Sequence, residues 1–263
     1  MTKLLYLTMI GVKTRLSRKA SFLFTIVTNI INISVLFFLW NNIYRPQESP
    51  ENLVKYSSVM SSLLLANLLF ALTTTKIEWV VSNEIITGNI ISKLTFPVSY
   101  LQQKLCDYLG ALICNFFTSF LVILIILMTK FSDYIFISFG GVFIVISVIL
   151  SMTIMFIFDY LTGLTAFVTE SIWGVATIKV CLVSFFSGVI IPLEFLPNTI
   201  KKLVQLTPFW YVFQTPISLL TEHSNFKVGL LKLMPQAFWA VLLIVLTISI
   251  SRHALSNLKV NGG

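Results

Sequence analysis

Few residues of this sequence have the types and spacing that catalysis requires. No GxxxxGK[ST] segment is present, so the chain lacks a Walker-type loop for a nucleotide. The two histidines, His223 and His253, lie in separate predicted loops, and neither an HExxH pair nor a GxSxG turn occurs. Acidic residues lie at the ends of the apolar stretches rather than in pairs within them. We therefore predict no catalytic residue, no metal site and no cofactor in this chain.

Lys179 is the ionisable residue that lies furthest inside an apolar stretch. Placing a charge in a membrane segment costs a few kcal/mol, so such residues are candidates for function. Asp159 and Glu170 lie near the corresponding ends of the neighbouring stretches. Lys179 can therefore extend toward the interface and pair with one of them. We favour this structural interpretation over a functional one.

A stripe of polar residues runs along the first apolar stretch. Thr25, Thr28, Asn29 and Asn32 follow the i, i+3, i+4, i+7 spacing that places side chains on one helical face. Two interpretations remain open: hydrogen bonds between helices, or one wall of a translocation path. The same alternatives apply to the polar residues of the second and third stretches, which are Ser57, Ser58, Ser61, Ser62, Asn67, Asn115, Thr118 and Ser119.

Composition indicates the environment in which these residues act. The 263 residues are 57% hydrophobic and 11% charged, whereas a soluble domain needs about a quarter of its residues charged. Most of the surface must therefore face lipid. The three cysteines lie in or beside apolar runs without CxxC spacing, which favours buried small side chains over disulfides or metal ligands.

Six stretches are long enough to cross the hydrocarbon core, which takes about 20 helical residues. They span residues 21–41, 57–77, 105–128, 134–158, 172–191 and 234–251. We predict an all-α membrane protein that forms one transmembrane domain over residues 1–263. An even number of spans places both termini on the same side.

The distribution of lysine and arginine predicts the orientation. With the N-terminus inside, ten of these residues lie in cytoplasmic segments and seven in external ones. The flank before the first span is strongly basic, and that flank usually dominates, so we predict that both termini are cytoplasmic. The net charge of +8 then reflects this rule and attraction to anionic lipid, rather than nucleic-acid binding.

Three segments outside the spans have a pattern of their own. Residues 1–20 predict a basic interfacial helix with apolar residues on one face. Residues 78–104 contain a short amphipathic helix, with Ile86, Ile90 and Leu94 at four-residue spacing, which ends before Pro97. Residues 192–233 are too rich in aromatic and aliphatic side chains for an exposed loop, so we predict re-entrant or surface-lying external helices before span six.

Several motifs, taken in this order and with this spacing, resemble one family. The pattern Glu84-x-x-x-Gly88-x-Ile90-x-x-x-Leu94-x-x-Pro97 resembles the coupling helix of type-2 ABC exporter permeases. Residues 166–170 are similar to a Phe-Trp-Thr-Glu element of a bacterial branch, with Val168 in place of the tryptophan. Residues 186–197 and 208–216 resemble the exit of span five and the segment that follows it. The likeness covers residues 78–216.

This resemblance implies partners and a location. Two permease chains, identical or homologous, would assemble with two separate ATPase subunits in the bacterial cytoplasmic membrane. ATP and Mg²⁺ would bind to the ATPase subunits rather than to this chain. The residues that it implies for contact with the ATPase are Glu84, Ile86, Gly88, Ile90, Lys93 and Leu94.

The resemblance also implies a translocation path between the two permeases, lined by spans one, two and five. The candidate path residues are Thr25, Asn29, Asn32, Ser61, Asn67, Ser184 and Ser187. The external helices would shield this path, with Phe195, Phe209 and Trp210 as gate residues. Such a path fits an amphipathic substrate, for example a drug, a peptide or a lipid-like molecule. The alternative is a secondary transporter or channel that works without an ATPase.

Overall fold

A computed structural model describes residues 2–17, 19–43, 50–127, 141–191, 196–221 and 226–256, which form helices joined by turns. The helices are α1 (Thr2–Leu16), α2 (Lys19–Ile43), α3 (Pro50–Thr73), α4 (Ile77–Ile86), α5 (Ile90–Leu94) and α6 (Tyr100–Leu127). The second half contains α7 (Val142–Leu164), α8 (Trp173–Phe186), α9 (Asn198–Gln205), α10 (Pro208–Thr221) and α11 (Phe226–Ser256). A 3₁₀ turn at Thr165–Phe167 follows α7.

Within the described residues, five helical stretches are long and apolar enough to cross a membrane. They are Phe22–Trp40, Val59–Ile86, Tyr100–Val122, Val142–Phe167 and Phe226–Ser256. The predicted fifth span forms only the 14-residue helix α8, because the chain turns at Gly188, which has a φ of +80°. The fourth span lies further along the chain than predicted, and residues 134–140 of that prediction lie outside the described residues.

The predicted single amphipathic helix around residues 84–94 is instead two helices. The last turn of α4 closes with hydrogen bonds from the backbone amides of Thr87 and Gly88 to Asn83 and Ile85. Gly88 then adopts a φ of +73°, a left-handed conformation that side chains with a Cβ rarely take. The chain changes direction there before α5 begins at Ile90. The four-residue spacing therefore does not place the three apolar side chains on one face.

Helix α7 forms the centre of the bundle, where α4, α10 and α11 pack around it. Gly163 allows α4 to approach closely, since a Cβ at this position would lie 2.6 Å from the Cβ of Val81. Gln236 of α11 donates hydrogen bonds to the Ser147 carbonyl and to the Ser151 hydroxyl of α7. The apolar core of the bundle thus contains a fully bonded polar group that fixes how α11 packs on α7.

Helix α1 lies against the first half of α6. Gly11 and Gly110 meet at the contact, where a Cβ on Gly110 would lie 3.1–3.2 Å from the α1 backbone. Leu5, Tyr6 and Met9 point away from the protein and are exposed. The position of α1 at the membrane interface stays a prediction.

The apolar region before α11 forms two helices, α9 and α10, in its described part. Helix α9 exposes Leu203 and Leu206 beside its lysines, whereas Val204 is buried. Helix α10 packs along α7, and its Val212 carbonyl accepts a 2.6 Å hydrogen bond from Ser151. Most of this region is therefore packed against the bundle rather than forming a free loop.

Candidate functional site

The turn and short helix between α4 and α6 (residues 87–99) are called the coupling segment here, after the role that the sequence resemblance implies. Lys104 of α6 contacts Glu84 at 2.7 Å, and the Tyr100 hydroxyl donates to the other carboxylate oxygen of Glu84 at 2.8 Å. Gln103 donates to the carbonyls of Lys93 and Val98. The first turn of α6 therefore fixes both ends of the segment.

The coupling segment exposes several large apolar side chains among polar ones such as Thr87, Asn89 and Thr95. Ile91, Leu94 and Phe96, together with Ile86 at the end of α4, are each between 41% and 54% exposed. The ammonium of Lys93 lies 5.9 Å from the ring centre of Phe96.

Two residues predicted to contact a partner are instead engaged within the chain. Ile90 is only 1% exposed and belongs to the main hydrophobic core, so it does not lie on the outward side with Ile86 and Leu94. Glu84 is bound to Lys104 and Tyr100, and it fastens the segment rather than presenting a free charge. Ile91 and Phe96, which the sequence pattern did not single out, take the exposed positions.

A cavity of about 710 Å³, lined by both polar and apolar side chains, lies among α1, α2, α3, α4 and α6. Three residues predicted for the path, Thr25, Asn29 and Asn32, line it from α2, and Asn67 lines it from α3. The remaining polar and charged lining residues are Thr14, Arg15, Thr28, Thr74, Thr75, Lys76, Asp107, Asn115 and Thr118. Pockets of about 300–1,000 Å³ commonly hold small organic ligands.

The other path candidates lie apart from this cavity. Ser61 is buried in α3 and is not part of the lining. Ser184 and Ser187 are buried near the end of α8, where the Ser187 hydroxyl contacts the Ser184 carbonyl. Asn67 lines the cavity and also connects α3 to the segment after α8, because its side-chain amide donates a hydrogen bond to the Val189 carbonyl. The structure thus groups four of the seven path candidates.

The predicted gate residues fall in different surroundings. Phe209 stacks on Phe158 of α7, with ring centres 4.7 Å apart, and lies 6.3 Å from Phe186 of α8. Trp210 is half-buried at the start of α10. Phe195 lies outside the described residues.

Lys179 belongs to a buried ionic cluster that joins three helices. Its ammonium donates to Asp159 of α7 at 2.7 Å and to Glu78 of α4 at 2.9 Å. The Thr75 hydroxyl donates to the second oxygen of Asp159 at 2.7 Å. The predicted pairing of Lys179 with Asp159 is confirmed, whereas the alternative partner, Glu170, is exposed.

Glu78, Lys104 and Gln103 were not identified as structural residues from the sequence. A signal existed for Glu78, because it lies at the end of the second stretch on the same predicted side as Asp159 and Lys179. Buried charges require partners, so an acidic residue at that depth was a candidate. No comparable signal existed for Gln103, since its acceptors are backbone carbonyls whose positions depend on the fold.

Five helical stretches in the described part of the chain that are long and apolar enough to cross a membrane indicate a multi-pass membrane protein. The sequence matches the family described as ABC-2 family transporter protein over residues 30–262. The chain therefore belongs to that family, whose members are membrane permeases of ABC transporters. The match confirms the resemblance seen in the motifs. A comparison with curated proteins finds no match.

Proposed function

We propose that this chain is the transmembrane subunit of an ATP-driven exporter in a bacterial cytoplasmic membrane. It would pair with a second permease, identical or homologous, and with two separate ATPase subunits that bind ATP and Mg²⁺. Both termini would be cytoplasmic, and α1 would lie on the inner leaflet. The observation that carries the proposal is the anchored, outward-facing apolar surface of the coupling segment in a chain of this family.

The ATPase would bind at the coupling segment. Ile86, Ile91, Leu94 and Phe96 would fill an apolar groove, and Lys93 would add a charge at its edge. Movement of the ATPase would pass into α4 and α6 because Glu84 and Gln103 hold the segment to both helices. A loosely attached loop would absorb such a movement instead.

The substrate would enter the cavity beside α2. Amide and hydroxyl groups along one side of α2 and apolar side chains such as Phe70 and Ile33 line the same space, which suits an amphipathic molecule. Helix α2 exposes most of its remaining apolar side chains, including Leu23, Val27 and Ile31. That surface is available to lipid or to the second permease. In this arrangement, the packing of Phe209 against α7 and α8 supports a role in shielding the outer part of the path.

Purification of the full-length chain from its native membrane tests the proposal. We expect an ATPase subunit to copurify, and we expect the complex in liposomes to transport substrate only when ATP is supplied. Transport by the chain alone, driven by an ion gradient, would contradict the proposal and favour a secondary transporter.

A further inference from the structure

The second long apolar stretch, Val59–Ile86, is interrupted between α3 and α4, at residues 74–76, which we call the α3–α4 break. Proline or glycine causes most sharp interruptions of a helix, but residues 73–77 are Thr-Thr-Thr-Lys-Ile. Lys76, directly before α4, has a φ of −110°, so no left-handed residue turns the chain there. The local sequence therefore permits a continuous helix, and contacts with other helices must produce the break.

Two side chains of α6 provide hydrogen bonds that hold the α3–α4 break. The side-chain amide of Asn115 donates to the Leu72 carbonyl at 3.2 Å and to the Thr74 carbonyl at 2.9 Å. The Tyr108 hydroxyl lies 3.2 Å from the Thr73 carbonyl and shares its one proton between that carbonyl and one of α7. In a continuous helix, each of these carbonyls would accept a bond from the backbone amide four residues later. Side chains of α6 therefore replace the missing backbone donors.

The backbone amides at the start of α4 form the other half of the break. The first hydrogen bond of α4 runs from the Val80 amide to the Lys76 carbonyl at 3.3 Å. The amides of residues 77–79 precede this bond and have no acceptor within α4. In a continuous helix, they would donate to the carbonyls of residues 73–75. Two bonding arrangements therefore compete for the same carbonyls, and loss of the α6 donors favours the continuous helix.

The α3–α4 break forms part of the cavity wall. Its three residues line this space, and so does Asn115 on α6. A bound molecule with an acceptor oxygen can therefore take the amide hydrogens of Asn115 that otherwise serve the Leu72 and Thr74 carbonyls. Thr75 is held separately, since its hydroxyl donates to Asp159 of α7 at 2.7 Å. Asn115 is thus the contact of the break that a ligand changes most directly.

We propose that Asn115 is a positioning residue that holds the α3–α4 break, and that a cavity ligand with a hydrogen-bond acceptor oxygen releases it. The released segment closes into one helix from α3 to α4. Because α4 packs on α7, this closure changes the angle between α3 and the unit of α4 and α7. The coupling segment follows α4 and moves with it. This inference rests on the proposed function, in which the cavity holds substrate and the coupling segment meets the ATPase.

Hydrogen–deuterium exchange of the purified full-length chain in dodecyl maltoside tests the switch without any ATPase. Asn115→Leu removes the donor, so the amides of residues 77–79 should gain helical acceptors and exchange several-fold more slowly. A merely structural role predicts faster exchange, because the segment then loses two anchoring bonds. Asn42→Leu removes an amide that donates to the Phe38 carbonyl of its own helix at 2.8 Å, and it should leave exchange at residues 77–79 unchanged. Equal or faster exchange in Asn115→Leu would overturn the proposal.

Two amphiphiles with the same alkyl chain test the control by a ligand. Dodecyldimethylamine oxide has an acceptor oxygen and no donor, and it should slow exchange at residues 77–79 in the unmodified chain. Dodecyltrimethylammonium has no acceptor and should not. The response to the amine oxide should disappear in Asn115→Leu and persist in Asn42→Leu. Exchange that ignores the amine oxide, or that responds to it equally in both variants, would contradict release through Asn115.

The effect on the ATPase has a separate measurement. In the complex with the ATPase, the amine oxide should stimulate ATP hydrolysis in the unmodified chain and in Asn42→Leu but not in Asn115→Leu. Equal stimulation in both variants would contradict the link between the break and the coupling segment. If no ATPase binds the unmodified chain, the proposed function fails, but the exchange measurements still decide whether the break is a switch.

Discussion

Lys179 shows that a charge inside an apolar helix can be part of the architecture. It holds acids from two other helices, and each contact is shorter than 3 Å. Surface ion pairs contribute little to stability, but removing one partner of a buried pair leaves the other charges uncompensated. The cluster is therefore a point at which one substitution is expected to destabilise the bundle strongly.

We expect Lys179→Met to lower the free energy of unfolding by about 3–5 kcal/mol, since two buried carboxylates lose their cation. The midpoint of thermal unfolding in detergent measures the effect. Lys202→Met on the exposed side of α9 removes the same charge as a control and should leave the midpoint unchanged. Partial recovery is expected when Glu78→Gln and Asp159→Asn are added to Lys179→Met. Equal midpoints for the two lysine variants would show that the cluster does not stabilise the bundle.

Among the helices, the contact between α4 and α7 depends on a glycine. A Cβ at Gly163 would lie 2.6 Å from the Cβ of Val81 and 3.0 Å from the Glu78 carbonyl, and neither atom can move without shifting α4. The position therefore determines how closely the helix before the coupling segment packs on the centre of the bundle.

Gly163→Ala should destabilise the protein by about 1–3 kcal/mol, because the added methyl group separates α4 from α7. Gly174→Ala is the control, since a Cβ there meets nothing within 4 Å and alanine favours a helix. Thermal unfolding of both variants in the same detergent compares them. A Gly163→Ala protein as stable as Gly174→Ala would mean that α4 is not held tightly.

Two adjacent residues of the coupling segment differ in burial, which allows its surface and its core contacts to be tested separately. Ile91 is about half exposed, whereas Ile90 is buried in the core. Ile91→Asp should leave folding intact and weaken ATPase binding by about 1.5–3 kcal/mol, the contribution of one buried isoleucine. Ile90→Asp should instead lower the stability of the permease itself.

Ser92→Asp, which adds the same charge at the next position, an exposed polar one, is the control for Ile91→Asp. Copurification of the ATPase and the unfolding midpoint are measured for all three variants. If Ile91→Asp retains the ATPase as well as Ser92→Asp does, the docking surface lies elsewhere.

For the molecule as a whole, the cavity gathers polar groups from helices that are distant in sequence. Asn29 of α2, Asn67 of α3 and Asn115 of α6 all line it. Asn67 and Asn115 also bond to backbone carbonyls of neighbouring segments, whereas Asn29 is half-buried at the cavity wall of α2. Hydrogen bonding between helices and lining of the cavity are therefore combined in one place.

We expect Asn29→Leu to reduce ATP-driven transport several-fold while ATPase copurification is unchanged, because the wall of the cavity loses an amide that no helix contact requires. Asn42→Leu, near the end of the same helix and outside the cavity lining, is the matched control. Transport is measured in liposomes that contain the ATPase. Equal loss in the two variants would mean that the cavity is not the path.

The sequence by itself determined the all-helical membrane character, the family and most of the long helices. In lipid, an apolar stretch of about 20 residues has few alternatives to forming a helix. The order of the motifs can be read without knowing how the helices pack. It also identified the polar stripe of α2, because helical periodicity alone places Thr25, Asn29 and Asn32 on one face.

Only the tertiary structure decided which of these residues meet. The Ile90 side chain is buried because the chain changes direction at Gly88, between α4 and α5. The spacing of residues in the sequence does not reveal that change. Helix α8 ends after 14 residues before the turn at Gly188, and the carbonyls that follow this turn accept hydrogen bonds from Asn67 and Trp40 of other helices. The pairing of Glu78 with Lys179 also depends on packing. A buried charge needs a partner of opposite charge, and which residue provides it depends on how the helices pack rather than on their order along the chain.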